Sequence, residues 1–269
     1  YGAIMGVDIT ALFAAGIVPG LILTISLMLL NGYFAHRDGH PGGEAGDIPA
    51  FLPSLKTALP ALMLPFIILS GIIFGFMTPT EAAAIAVVAA ILVMVWYRTF
   101  SVNQLIKSLQ RTAILTGAIF AVIAVAGIIG YLAALTHLPD AVVTIVNDVG
   151  ISGTGYLLLL TLVFLVLGMF FDIQIALALV APLLVPAAIA QGADPIHVGI
   201  FICINLAIGM IIPPFGGIIM VVASVTETTY SKLVRALIPF IILELFVLLL
   251  VVLIPDISLA LPRYLGLMD

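Results

Sequence analysis

The sequence predicts an all-α polytopic membrane protein, on three observations. Hydrophobic residues make up 64% of the 269 positions and charged residues only 8%, which leaves too little polar surface to cover a soluble domain. The apolar residues stand in long continuous runs, not in alternating segments of about ten residues, so helices are selected over a barrel. Two of these runs are interrupted near their middles by proline, glycine or an acid, where lipid tolerates no free backbone unless protein covers it or it lines a cavity. The net charge of −5 and the lone Cys203 add little, beyond excluding an internal disulfide. Nothing in the composition points to nucleic acid. The chain opens on Tyr1 and not on Met, so it is expected to be part of a longer protein.

Residues 10–35 form the first span. A Gly- and Pro-rich polar stretch follows, expected to be a loop at 36–55. The second span is 56–76, with Pro60 and Pro65 in its first half. Thr78, Pro79 and Glu81 have the spacing of a capping box with proline at the first helical position. They start a third span, 79–98, which ends in Trp96-Tyr97-Arg98 as suits a membrane interface. Ser101 and Gln104 repeat the capping-box spacing and predict a short amphipathic surface helix over about 101–111. The fourth span is 112–135. A loop with no Lys or Arg follows, part of it expected as a short interfacial helix.

Residues 155–190 hold two apolar arms of about 17 residues joined by a turn, Gly168 to Gln174, that contains Asp172. A full span needs about 20 residues. The shorter arms predict a re-entrant helical hairpin, with two short spanning helices as the alternative. Residues 194–229 are about as long as two helices and are broken by Pro213-Pro214-Phe215-Gly216-Gly217. Asp194-Pro195 starts a half-helix expected to run to Ile212, and a second half starts at about Ile218. The last span is 236–254, and a short tail follows to Asp269.

Charge decides between topologies. If 195–229 crosses once, Arg37, Lys56, Arg98, Lys107, Arg111, Lys232 and Arg235 all fall on one side, the cytoplasmic one, and only Arg263 falls opposite. Two crossings would move Lys232 and Arg235 outside. The pattern therefore favours one crossing by a broken transmembrane helix.

Such a break frees carbonyls that coordinate a small cation and N–H groups that favour an anion through the helix dipole. The hairpin tip offers the same groups. The candidate ion-binding residues are Gly168, Asp172, Asn205, Gly209, Ile212 and Gly216. The candidate substrate-binding residues are Pro213, Pro214, Gly217 and Ser224. The glycines admit close backbone approach. Glu244, about 13 Å into the membrane past Arg235 by helical rise, reads as a hydrogen-bonding residue or a proton carrier. His36, His40 and His137 fall in polar loops. His197 falls in the first turn of a helix near the outer surface, with no metal-binding partners in view.

Gly75-Phe76-Met77-Thr78-Pro79-Thr80-Glu81-Ala82-Ala83 resembles the GxxTPTEAA signature of the large membrane subunit of tripartite ATP-independent periplasmic (TRAP) transporters. The segments GMFFD at 168–172, GADPIHVGI at 192–200, NLAIGMIIPPFGG at 205–217 and RALIPF at 235–240 resemble the rest of that subunit's C-terminal half. The resemblance implies an inverted-repeat, elevator-type fold of which this chain holds the second repeat, the first lying upstream of Tyr1. It implies sodium as coupling ion, with no other cofactor. It implies a small four-helix membrane subunit and a periplasmic substrate-binding protein as partners, in a bacterial inner membrane. Substrates would be carboxylates of the C4-dicarboxylate, sialic acid or sugar-acid class. Three blocks follow: 1–154, partly scaffold; 155–230, the hairpin and broken helix of a transport domain; and 231–269, the last span and tail. The family commonly places Thr before the double proline, where Ile212 stands here. A sodium site would then draw on backbone carbonyls or on Asp172, Asn205 or Ser224. An intramembrane enzyme or a non-transporting scaffold subunit are the competing classes. The first lacks HExxH, GxS-with-His and paired spanning Asp patterns, and the second has no need of broken helices.

Overall fold

A computed structural model describes residues 1–39, 50–151 and 153–268, and among these there are helices and no strands. The helices are α1 (Gly2–Met5), α2 (Ile9–Arg37), α3 (Phe51–Ile73), α4 (Pro79–Trp96), α5 (Val102–Leu135), α6 (Leu138–Asp148), α7 (Thr154–Phe170), α8 (Ile173–Ala190), α9 (Pro195–Gly209), α10 (Gly217–Thr226), α11 (Tyr230–Leu253) and α12 (Asp256–Tyr264). Six of them, α2, α3, α4, α5, α8 and α11, are long and apolar enough to cross a membrane. The polytopic all-α expectation therefore holds.

The chain divides into two compact units. One comprises Asn31–Gly117. Within it α3 packs on α4, and the Tyr97 hydroxyl donates to the Thr57 carbonyl. The Met77 side chain lies so close to Gly71 that a Cβ there would sit 2.6 Å from its Cε. The expected capping box is formed: the Thr78 backbone N–H donates to Glu81 Oε2 at 2.8 Å, and the Glu81 N–H donates back to Thr78 Oγ1. Large side chains on these helices face outward, such as Phe66, Leu92 and Trp96, as lipid-facing surface requires.

The other unit comprises Tyr1–Leu30 and Ala118–Asp269. Its core is built by α7, α8, α9 and α11 around Leu160, Phe164, Val185, Phe201, Leu206 and Val251. In lipid there is no hydrophobic gain from helix association, so close packing and buried hydrogen bonds hold the helices together. The buried alanines of α8, including Ala176, Ala181, Ala187 and Ala188, allow that approach. A smaller cluster joins Ala11 and Ala15 of α2 to Ile196 and Ile200 of α9 and Leu259 of α12.

Several expectations are corrected. The surface helix at 101–111 and the span at 112–135 are one continuous helix, α5, because no Gly or Pro stands at their junction to break the ladder. The loop expected at 36–55 is shorter, since α2 runs to Arg37 and places His36 in its last turn, and α3 already begins at Phe51. The rest of that loop, with His40, lies mostly outside the described residues. The short tail after 254 holds a further helix. Residues 256–264 form α12, which buries Ser258, Leu259 and Pro262. His197 lies in the first turn of α9, as expected; it is buried there, 1% exposed, and its Nδ1 lies 2.7 Å from Ser258 Oγ, tying α9 to α12.

Candidate functional site: the hairpin tip against the broken helix

The break in the 194–229 element arises from local chemistry. Asp194 caps α9, accepting from the N–H groups of Ile196 and His197 at 2.8 and 3.3 Å, with Pro195 at the first helical position. The helix ends at Gly209, three residues before the expected Ile212. Pro213 and Pro214 carry no N–H, so two successive rungs of the ladder ahead are lost. The last turn tightens: Ile211 donates to Ile208 and Ile212 to Gly209, each at 3.0 Å. Gly216 then adopts a left-handed conformation, φ 46°, and α10 begins at Gly217 without a side-chain cap. One long bond, from the Ile218 N–H to the Met210 carbonyl at 3.4 Å, spans the break.

The hairpin presents its tip to this break. Asp172 is the N-cap of α8, its carboxylate accepting from the Gln174 N–H at 3.4 Å. The arms have 17 and 18 residues, so each extends about 26 Å.

The tip and the break meet along a seam between α7 and α9. Thr161 and Gly168 lie on one face of α7, and Asn205 and Gly209 on one face of α9. Asn205 is fully buried, and its Nδ2 donates to the Thr161 carbonyl at 2.6 Å. One turn further on, the backbones touch. A Cβ on Gly209 would stand 2.7 Å from Gly168 Cα, and one on Gly168 would stand 2.9 Å from the Leu206 carbonyl oxygen. No real Cβ fits at such distances, so only glycine serves at these two positions. Beyond the glycines, the rings of Phe170 and Phe215 meet at 5.0 Å between centroids, one from the tip and one from the break.

The predicted residues divide accordingly. Gly168, Asn205 and Gly209 are brought together by the seam. Ile212, Pro213, Pro214, Gly216 and Gly217 form the break and the helix start beside it. The Ile212 side chain packs toward the core, which leaves only its backbone to meet a ligand. Gly217 has open space where a Cβ would project. Asp172 serves as a helix cap at the tip. Ser224 is exposed and its hydroxyl proton goes to the Val221 carbonyl of its own helix at 2.7 Å.

Tyr230, Thr161, Phe170 and Phe215 are site neighbours that the sequence reading passed over. Tyr230 donates from its hydroxyl to the Pro214 carbonyl at 2.9 Å. Tyr230 opens α11 just after the ten-residue α10, and its side chain reaches back to the break. A tyrosine opening a helix carries no sequence signal for that contact.

The charge distribution of the site follows from helix ends. The C-terminus of α9 presents partial negative charge and the uncapped N-terminus of α10 partial positive charge. One side-chain acceptor is left over: Asn205 Oδ1 is buried and has no hydrogen-bond partner among the described residues. A buried acceptor of this kind suits a small cation or a water. No cluster of three or more His, Cys, Asp or Glu side chains suited to a transition metal occurs among the described residues. A cation held here would be bound by amide and carbonyl oxygens, the donor set of hard ions.

Residues 1–257 match the model of a family described as "Tripartite ATP-independent periplasmic transporter, DctM component". The chain is 34% identical over 99% of its length to the C4-dicarboxylate TRAP transporter large permease protein DctM of Pseudomonas aeruginosa. It is 33% identical over 98% of its length to the sialic acid TRAP transporter large permease protein SiaM of Vibrio cholerae. It is 30% identical over 95% of its length to the 2,3-diketo-L-gulonate TRAP transporter large permease protein YiaN of Escherichia coli. It spans 62%, 62% and 60% of the lengths of these three relatives.

Proposed function

The chain belongs to the DctM family of tripartite ATP-independent periplasmic transporters, whose members are membrane permease subunits and not enzymes, and from that premise we propose that it forms the ion- and substrate-binding half of a sodium-coupled carboxylate importer. The observation that carries the reading is the seam: Gly168 against Gly209, with Asn205 beside them and its Oδ1 left free for a cation. Sodium at the C-terminus of α9 neutralises the partial charge there and orders the break. The N-terminus of α10 then faces the carboxylate of the substrate. Binding of the ion ahead of the substrate is coupling in the thermodynamic sense, since each favours the same ordered break.

The carboxylate assignment draws on the relatives, whose named substrates above are all carboxylic acids. A periplasmic binding protein delivers the solute, and a small four-helix membrane subunit accompanies the permease in the bacterial inner membrane. The α7–α8 hairpin is re-entrant, and α9 with α10 makes one crossing. Together they have 25 residues, 15 and 10, or about 37 Å of helix against a ~30 Å core. These elements move as a block with an upstream repeat, in the manner of an elevator. The packing of Ala11 and Ala15 on α9 favours counting the start of α2 with that block. α3 and α4 belong to the scaffold, and residues 101–111 are an arm at the head of α5.

Uptake into proteoliposomes containing the whole permease, its small subunit and its binding protein tests the scheme. We expect carboxylate uptake that requires an inward sodium gradient. Asn205→Leu removes the free acceptor at similar volume, and the sodium half-saturation is expected to rise about tenfold, as loss of one ligand of about 1–3 kcal/mol implies. Uptake that needs neither sodium nor the binding protein would refute the mechanism.

A further inference from the structure

A second polar feature lies on the other side of α9, in the middle of α11. Glu244 stands 14 residues after Tyr230 and nine before Leu253, the ends of α11, so about 21 Å and about 14 Å from them. It opens on a cavity of about 260 Å³ that it shares with Leu23 and Leu27 of α2 and Ile204, Ala207, Ile208 and Ile211 of α9. Its Oε2 is buried and has no hydrogen-bond partner among the described residues. Neither α2 nor α9 presents a titratable or charged side chain to the cavity, and the nearest basic residue along α11, Arg235, is about 13 Å away by helical rise.

A carboxylate in the membrane interior is normally paired or lines a functional pathway. This one is met by six apolar side chains. Sodium would need several oxygen ligands, and the cavity supplies one carboxyl group. A proton needs only that group, and it converts the acceptor-only anion into a neutral acid that the apolar wall tolerates.

We propose that Glu244 is a proton-binding site of the membrane interior, which takes up and releases a proton in the cavity between α2, α9 and α11. The site is independent of the sodium reading above. Loss of the proton places a charge against the apolar wall of the cavity and draws in water.

Carbodiimide labelling of the intact permease in native membranes tests this, because dicyclohexylcarbodiimide enters lipid and reacts with protonated carboxyl groups. The peptide containing Glu244 is expected to carry the label at about pH 6. Labelling should fall about tenfold per pH unit beyond the titration point, and sodium at constant pH should not change it. Absence of label on this peptide, labelling flat up to about pH 10, or protection by sodium would each overturn the proposal. Glu244→Gln keeps the shape and lacks the acid. It should lose the label on this peptide and the pH dependence of thermal stability that the wild type shows, and a pH dependence equal to wild type would also overturn it. Should that variant fail to fold, wild-type labelling alone decides.

Discussion

The contact between α7 and α9 makes a sharp prediction about two glycines eight residues apart. In Gly209→Ala the new methyl group would lie 2.7 Å from Gly168 Cα. Carbon atoms settle at about 3.5–4.0 Å, so the helices must part by roughly 1 Å at the point where the hairpin tip meets the break. Overpacking of this kind costs about 1–3 kcal/mol. Alanine returns at most about 1 kcal/mol in helix propensity, and less here because Gly209 is the last residue of α9. The clash therefore wins. Gly217→Ala is the matched control, since a Cβ there meets nothing within 4 Å. That variant should be neutral or stabilising by about 0.4–1 kcal/mol, through the lower entropy of the unfolded chain. Thermal unfolding of the purified permease, followed by solute uptake in proteoliposomes under an inward sodium gradient, reads both. Gly209→Ala is expected to lower the unfolding temperature and to lose most uptake, while Gly217→Ala keeps the unfolding temperature. Equal behaviour of the two variants would refute the tight seam and, with it, the argument that the tip and break share one site.

Two further substitutions separate positioning from packing. Tyr230→Phe deletes only the hydroxyl that holds the Pro214 carbonyl. About 1 kcal/mol of constraint on the break is lost, and hydrogen exchange should quicken at 215–220 while the α7–α9 seam keeps its protection. Unchanged exchange there would show that the tether does not restrain the break. Ser258→Ala leaves His197 Nδ1 without its partner at 2.7 Å, a loss of about 1–3 kcal/mol for a buried polar group. Because Ser258 is the polar link between α12 and α9, limited proteolysis should then cut residues 256–264 sooner than in wild type, and an identical cleavage pattern would deny the link.

Much of the architecture was legible in the residues because lipid imposes a simple rule. Backbone groups must be satisfied within the segment, so long apolar runs become helices and their interruptions stand out. The capping boxes, the double proline and Asp194-Pro195 placed helix starts to within a residue or two, since each acts over one turn. Boundaries failed where no breaker marks them. Residues 101–111 run into 112–135 without a Gly or Pro, and α12 is amphipathic and short, with a proline inside it.

The candidate site was legible in outline only. Glycine at 168 and 209 suggested close approach, but nothing in either segment shows that the two glycines face each other. That pairing is a matter of how α7 crosses α9, and so is the reach of Asn205 to Thr161 across 44 positions. Asp172 as an ion ligand and Ser224 as a substrate ligand were both candidates in the sequence, being polar residues in apolar surroundings. The fold gives Asp172 a helix to cap and Ser224 a carbonyl of its own helix. Membrane spanning, the positions of the helix breaks and the family resemblance can all be read from the residues, because hydropathy and backbone chemistry act locally. Which oxygen is left over at the break emerges from the packed helices alone, because satisfaction of a buried polar atom depends on neighbours that the chain brings together from far apart.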